Sequence, residues 1–207
     1  MVISAEPRDP FDPLITDWDR PIYRVYGNRR RPGEVNPGLG ASTRWAFFGD
    51  PPVPVLYAAE SEEAAVAETI LHDVAMTDGW VFPEMYLDRV MARLACSRTL
   101  RLARFGAGGL RRLHVRAAAL TATEPDTYDR TVPWADAAHS ITSCDGIVWM
   151  SRHWNTSRAI VLFGDRVDEA ELRLDAGFAR AFVNPYDIEW LAEFCDRIDV
   201  GFVPPRG

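Results

Sequence analysis

Lysine is absent from this chain: all 23 of its basic residues are arginine. Every anion contact therefore falls to a planar guanidinium fork, the shape that matches carboxylate and phosphate oxygens in pairs. Without lysine the phosphate-loop pattern G-x-x-x-x-G-K-S/T cannot be completed. No G-x-G-x-x-G follows a strand, no H-E-x-x-H sits on a helix, and no G-x-S-x-G elbow occurs. The cluster "GAGG" (106–109) reads as a turn. Cysteine is scarce and odd in number, at 96, 144 and 195, with no C-x-x-C. That excludes a disulfide framework and a zinc pattern, and reduced thiols are expected. The four histidines lack ligand-type spacing, so no metal site is expected. Long apolar runs are missing too. "GIVWM" and "AIVLFG" are far too short to span a bilayer. The opening "MVISAEPRDPFDP" lacks the basic and apolar regions of a signal peptide, so a cytoplasmic location is expected.

What is present fits an ordinary folded chain. At 207 residues a single domain spanning 1–207 is expected, and 47% hydrophobic content is enough for a real core. The net charge of −7 does not suit non-specific nucleic-acid binding, which needs a basic face. Any DNA contact is expected to come through a partner.

Residues 1–20 carry Pro7, Pro10 and Pro13 among acids and predict an irregular arm. "PIYRVYG" (21–27) alternates, with Ile22, Arg24 and Tyr26 on one face and Tyr23 and Val25 on the other. The Gly- and Pro-rich stretch 28–42 is long for a connection, and such loops are often functional. "TRWAFFG" (43–49) and "VPVLYAA" (53–59) predict two more strands. Ser61, with Glu62 and Glu63 behind it, starts a helix whose buried stripe is Val66, Ile70 and Val74. Glu68 lies off that stripe, four residues before His72. Residues 84–103 hold one or two further strands, and 133–142 a short helix with Pro133 near its first turn. "DGIVWMSR" (145–152) and "RAIVLFGDRV" (158–167) read as adjacent strands. A final helix covers 184–198, with Asn184 as cap, Pro185 next, and Asp187 placed to complete a capping box. The order of elements indicates α+β with a mostly antiparallel or mixed sheet.

Polar residues gather at strand ends: Arg24, Arg44, Tyr57, Glu68 and Ser151. Singly, each has an ordinary reading as a solvent-facing arginine, a packed tyrosine, a surface acid or a turn serine. Ser151 two residues before His153 suggests a nucleophile pair, but no orienting acid is identifiable. Taken in order, the segments "YRVYG", "TRWAFFGDPPVPVLYAAES", "AVAETIL", "TYDRTVPWADAAHSI" and "DGIVWMSR" resemble the RES domain family, toxins of toxin–antitoxin pairs. By that resemblance Arg44, Glu68 and Ser151 take the family's Arg, Glu and Ser, Tyr57 its tyrosine, and Arg24 the arginine of the opening strand. Thr43 and Ala46 stand where the family commonly has Gly and Asn.

The resemblance implies an ADP-ribosyltransferase-like fold of two packed sheets around an NAD cleft. It implies NAD as substrate with inorganic phosphate as co-substrate, no bound cofactor, and phosphorolysis of the nicotinamide–ribose bond. Its alternatives are NAD hydrolysis, ADP-ribosylation of a macromolecule, or a non-catalytic partner of a helix-turn-helix protein. The implied partner is a helix-turn-helix antitoxin of the Xre type that occludes the cleft, with a homo-oligomer expected within that complex and no membrane or direct nucleic-acid contact. The residues fit that chemistry. Nicotinamide leaves as a neutral molecule, so no general acid is needed; a carboxylate near the ribose, Glu68, offsets the developing cation. Arg24 and Arg44 suit the phosphates, Tyr57 and Tyr26 the cleft wall, and Ser151 a hydrogen bond to the ribose. Alanines around Glu68 are expected to let the ligand approach closely.

Overall fold

One curled sheet of eight strands organises the chain in the computed structural model, which describes residues 6–123 and 125–206. In chain order the strands are β1 (Ile15–Trp18), β2 (Ile22–Gly27), β3 (Val55–Ala59), β4 (Trp80–Val81), β5 (Arg89–Cys96), β6 (Leu100–Phe105), β7 (Gly146–Met150), β8 (Arg158–Phe163), β9 (Leu172–Ala181) and β10 (Gly201–Phe202). The helices are α1 (Glu62–Ala67), α2 (Pro83–Tyr86), α3 (Gly108–Arg112), α4 (Ala117–Leu120), α5 (Tyr128–Ile141) and α6 (Pro185–Arg197). The large sheet runs β1-β6-β7-β8-β3-β2-β5-β9, parallel at β6/β7 and antiparallel elsewhere; β4 and β10 form a small parallel pair. The expected α+β class with a mixed sheet is observed.

Hydrogen bonding runs through all eight strands, so the expected pair of separately packed sheets is replaced by one sheet with a thin junction. That junction is β2/β3, which pair at Tyr23 and Ala59 alone, whereas β2/β5 and β3/β8 pair along their lengths. Further along, the edge of β3 is taken by the loop instead. Asn36 donates to the Val55 carbonyl at 2.7 Å and Val55 to the Asn36 carbonyl at 2.9 Å. A gap opens where β2 and β3 part.

Three apolar clusters fill the fold. One lies where α5 and residues 45–48 pack on a face of β6, β7, β8 and β3, around Trp45, Phe105, Trp134, Trp149 and Phe163. Each such side chain contributes about 1.5–3 kcal/mol on burial. The opposite face holds Ile22, Leu56, Leu94, Val148 and Ile160. The third cluster lies beneath α1 and α6, around Val66, Tyr86, Leu191 and Phe194. Among the described residues no helix is long and apolar enough to cross a membrane.

Several local expectations change. "TRWAFFG" is a tight turn, because Thr43 and Ala46 close on each other's backbone at 2.8 and 3.2 Å and leave no edge for a ladder. α1 starts as predicted, with the Ser61 hydroxyl accepting the Ala64 N–H, but it stops at Ala67. The amides of Thr69, Ile70 and Leu71 all converge on the Val66 carbonyl, and β-branched Thr69 and Ile70 resist continuation. Ile70 is buried all the same, carried in by the turn. The N-terminal arm contributes β1 to the sheet edge, and "GAGG" leads into α3 instead of a plain bend. α5 begins at Tyr128, earlier than expected, with Pro133 inside it. Asn184 and Pro185 start α6 as predicted, but Asp187 forms no capping box; it accepts the Ala181 N–H at 3.0 Å. β9 is an edge strand whose sequence, LRLDAGFARA, hides its alternation behind Gly177 and exposed charges.

Gly146 sets the spacing of β7 and β8: a Cβ there would overlap the Val161 carbonyl oxygen. Gly146→Ala is expected to lower unfolding free energy by about 1–3 kcal/mol through overpacking, read from the urea midpoint at unchanged slope.

Candidate functional site

The gap between β2 and β3 is a cleft of about 320 Å³, lined among others by Arg24, Tyr26, Arg44, Tyr57, Glu68, His72 and Trp149. That volume lies within the usual range of small-molecule sites. Three elements of different sequence origin meet there: the diverging ends of β2 and β3, the turn at 43–46, and the end of α1.

Glu68 terminates α1, and one of its oxygens is fixed. Oε1 accepts from the Ser151 hydroxyl at 2.6 Å and from the Arg152 N–H at 3.1 Å. Ser151 is fully buried at the end of β7, where its oxygen also accepts the Trp154 N–H at 3.1 Å. Among the described residues Oε2 has no hydrogen-bond partner, and Glu68 joins no ion pair. The carboxylate is thus oriented without being neutralised. Ser151 orients the acid, where a direct contact with the ligand was expected.

Four arginines line the cleft, and two of them, Arg24 at 7% and Arg44 at 4% exposure, are buried, whereas Arg30 and Arg89 are more exposed and lie 3.6 Å from Glu34 and 3.2 Å from Asp88. Neither Arg24 nor Arg44 has a carboxylate within 4.0 Å among the described residues. Elsewhere the guanidinium groups of Arg98, Arg158 and Arg180 meet carboxylates at 2.6–2.8 Å. Arg24 donates only to the Pro32 carbonyl and lies over the Tyr26 ring at 5.4 Å. Burial lowers its pKa to about 10, which still leaves it a cation at neutral pH. Arg44 donates to the Thr123 carbonyl at 3.0 Å and lies over the Tyr128 ring at 5.8 Å, while its Nε has no partner. A buried charge without a counter-ion costs several kcal/mol, so two of them facing one cavity leave it primed for an anion.

Tyr57 has a firmer task than was expected of it. Its hydroxyl is hydrogen-bonded to Thr43 Oγ1 at 2.8 Å and accepts the Trp45 N–H at 3.1 Å, and burial raises its pKa. The hydroxyl is spent on holding the turn that carries Arg44, and Thr131 secures the same turn by donating to the Arg44 carbonyl at 2.5 Å. Thr43 therefore supplies a bond that glycine lacks, and Ala46 is a buried closing residue of the turn. The alanines near Glu68 do not line the main cleft: Ala64, Ala65 and Ala67 are buried residues of α1 itself, where their small size lets the helix sit close to the sheet.

Two side chains of the site receive no role from the sequence. Trp149 lines the cleft with its ring edge-on to Tyr57 at 6.3 Å and its indole N–H unpartnered. His72 lines it too, its Nε2 bonded to the Tyr128 hydroxyl at 3.1 Å. Only the spacing of His72 from Glu68 signalled this. The His153 ring lies 6.4 Å from that of His72; it has no place in a nucleophile pair, since the Ser151 hydroxyl donates to Glu68. Burial pushes the Cys96 and Cys195 thiols up to about 11, so neither is a thiolate at neutral pH. Among the described residues no cluster of three His, Cys, Asp or Glu side chains is arranged for a metal ion.

A family profile, the RES domain, matches residues 21–183, a span that contains every residue of the cleft just described. The chain belongs to the RES domain family. Comparison with curated proteins and with solved structures finds no match. Within this RES domain, Arg44, Glu68 and Ser151 converge on one cleft together with Arg24, Tyr26 and Tyr57, although Ser151 reaches it only through Glu68.

Two outcomes follow from the charges. Arg24→Met, which removes an unpaired buried cation, is expected to raise unfolding free energy by about 1 kcal/mol or more. Inorganic diphosphate should raise the melting temperature of the wild type and not of the variant; a less stable Arg24→Met protein would overturn the reading. His153 is held below the ordinary histidine value by burial, with Arg152, His72 and Arg44 adding to the effect and Glu68 opposing it. Below about pH 6.5 the unfolded chain therefore binds more protons than the folded one, and stability falls with falling pH. Urea titrations from pH 7 to 5 should show that loss, reduced in His153→Gln.

Proposed function

We propose that this RES domain consumes NAD, cleaving the nicotinamide–ribose bond and passing ADP-ribose to inorganic phosphate. The observation that carries the reading is the pairing of an oriented, un-neutralised Glu68 with two buried, carboxylate-free arginines in one cleft. Dinucleotide chemistry asks for that combination: cations for the diphosphate and one anion for the sugar that turns cationic. On this reading the β2/β3 gap corresponds to the NAD cleft of an ADP-ribosyltransferase-like fold.

Arg24, with the Tyr26 ring beneath it, holds the diphosphate. The aromatic walls, Tyr57 and Trp149, take the nicotinamide. The free Oε2 of Glu68 faces the ribose. As the bond from the anomeric carbon to the pyridinium nitrogen breaks, its electron pair neutralises the ring and positive charge builds on the sugar. A phosphate oxygen then bonds to the anomeric carbon. The products are nicotinamide and ADP-ribose phosphorylated at that carbon, and no electron is gained or lost overall. Ser151 and the Arg152 N–H keep the carboxylate aimed while the charge develops, so no reorganisation is required at the reacting moment. In the cell this activity is that of a toxin, and we propose a helix-turn-helix antitoxin of the Xre type as the partner that covers the cleft.

Purified protein incubated with NAD and phosphate should release nicotinamide and form the sugar phosphate. Glu68→Gln should lower kcat by about 10²–10³ with an unchanged melting profile. Products distinguish the acceptors: free ADP-ribose indicates water, and a labelled macromolecule indicates ADP-ribosylation. Undiminished NAD at micromolar protein would end the proposal.

A further inference from the structure

We propose that His72 is a positioning residue for the acceptor, offering a hydrogen-bond donor to an oxyanion beside Glu68. The inference rests on the NAD-consuming reading of the cleft and adds to it the group that seats the second substrate.

Tyr128 holds one ring nitrogen of His72. It is the first residue of α5, buried at 5%, and its ring lies beneath the Arg44 guanidinium. Among the described residues its hydroxyl has one partner, Nε2 of His72 at 3.1 Å. Burial raises the Tyr128 pKa, so the hydroxyl keeps its proton. A buried hydroxyl that only accepted would leave that proton unsatisfied, so it donates to Nε2. In the neutral ring this assigns the hydrogen to Nδ1, which has no partner among the described residues. The assignment has a chemical consequence. With Nε2 occupied and Nδ1 carrying hydrogen, His72 has no free lone pair to act as a base. What it has is an N–H donor, and it keeps that donor when the ring is protonated.

The surroundings select what this donor serves. His72 lines the cleft with Glu68 and Arg44, and Tyr128 touches both His72 and Arg44, so a single tyrosine sets donor and cation relative to each other. Arg44 has an unpartnered Nε. The other groups near His72 are the His153 ring at 6.4 Å and Asp73 Oδ1, 3.9 Å from Nε2. A ligand bonded to Nδ1 and facing Arg44 is an oxyanion, either the acceptor phosphate or the diphosphate of the dinucleotide. On the NAD-consuming reading Arg24 serves the second from β2, so the acceptor is assigned to His72.

Steady-state kinetics with NAD and phosphate varied separately test the assignment. His72→Ala should raise KM for phosphate about tenfold, the value of a lost charge-assisted hydrogen bond, and change KM for NAD less than twofold. Tyr128→Phe keeps the ring under Arg44 and removes only the hydroxyl. It should raise KM for phosphate severalfold, which guards against a His72→Ala protein that folds poorly. In the wild type, nitrogen-15 spectra should show the His72 ring hydrogen on Nδ1, shifting as phosphate is added without NAD. A rise in KM for NAD alone, or both phosphate constants unchanged in an active enzyme, overturns the assignment. If the wild type itself consumes no NAD, the reading of the cleft fails, and a phosphate-dependent His72 shift still reports on the donor separately.

Discussion

Two guanidinium groups buried without a carboxylate are the constraint around which this fold is arranged. A lone buried cation costs several kcal/mol, a large share of the net stability of a domain this size. The chain tolerates two because the surrounding structure holds them rigidly: Arg24 against the Pro32 carbonyl and the Tyr26 ring, Arg44 against the Thr123 carbonyl and the Tyr128 ring. Carbonyl dipoles and ring faces soften the charge without cancelling it. The remaining field is directed at the cleft, where an anionic ligand recovers the cost.

The opposite charge is handled with the same economy. Glu68 sits a short distance along the same cleft, yet it forms no ion pair with either arginine. Ser151 and the Arg152 amide hold one oxygen, and the short helix that ends at Glu68 fixes its backbone. Had α1 continued through Val74, residue 68 would be one turn among several on a helix surface. Stopping at Ala67 makes it a terminus, and the turn behind it brings His72 to the same cavity. The thin β2/β3 junction does the corresponding work for the sheet: a fully paired junction would close the space in which these groups meet.

Much of this was legible in order of residues. The β2 alternation, the start of α1, the cap and proline of α6, and the apolar strands β7 and β8 follow from local pattern, because propensity and period decide them. Grouping Arg24, Arg44, Tyr57, Glu68 and Ser151 depended on resemblance, since their separations along the chain carry no geometry. The turn at 43–46 read as a strand because its aromatic residues favour pleated structure, while the bonds that curl it come from Tyr57 and from its own ends. β9 was invisible because an edge strand needs no alternation on its open side.

The sequence by itself determined the elements with a clear local pattern, β2, β3, β7, β8, α6 and the start of α1, together with the all-arginine chemistry of any anion site and the lack of phosphate-loop and zinc-ligand motifs. Only the tertiary structure decided which arginines lack a carboxylate, which oxygen of Glu68 is free, and that the Tyr57 hydroxyl serves the turn and not the ligand. The reason is that burial and pairing are properties of contacts between segments far apart in the chain, as Ser151 and Glu68 are at 83 residues. No local pattern encodes whether a charge, once buried, will find its partner.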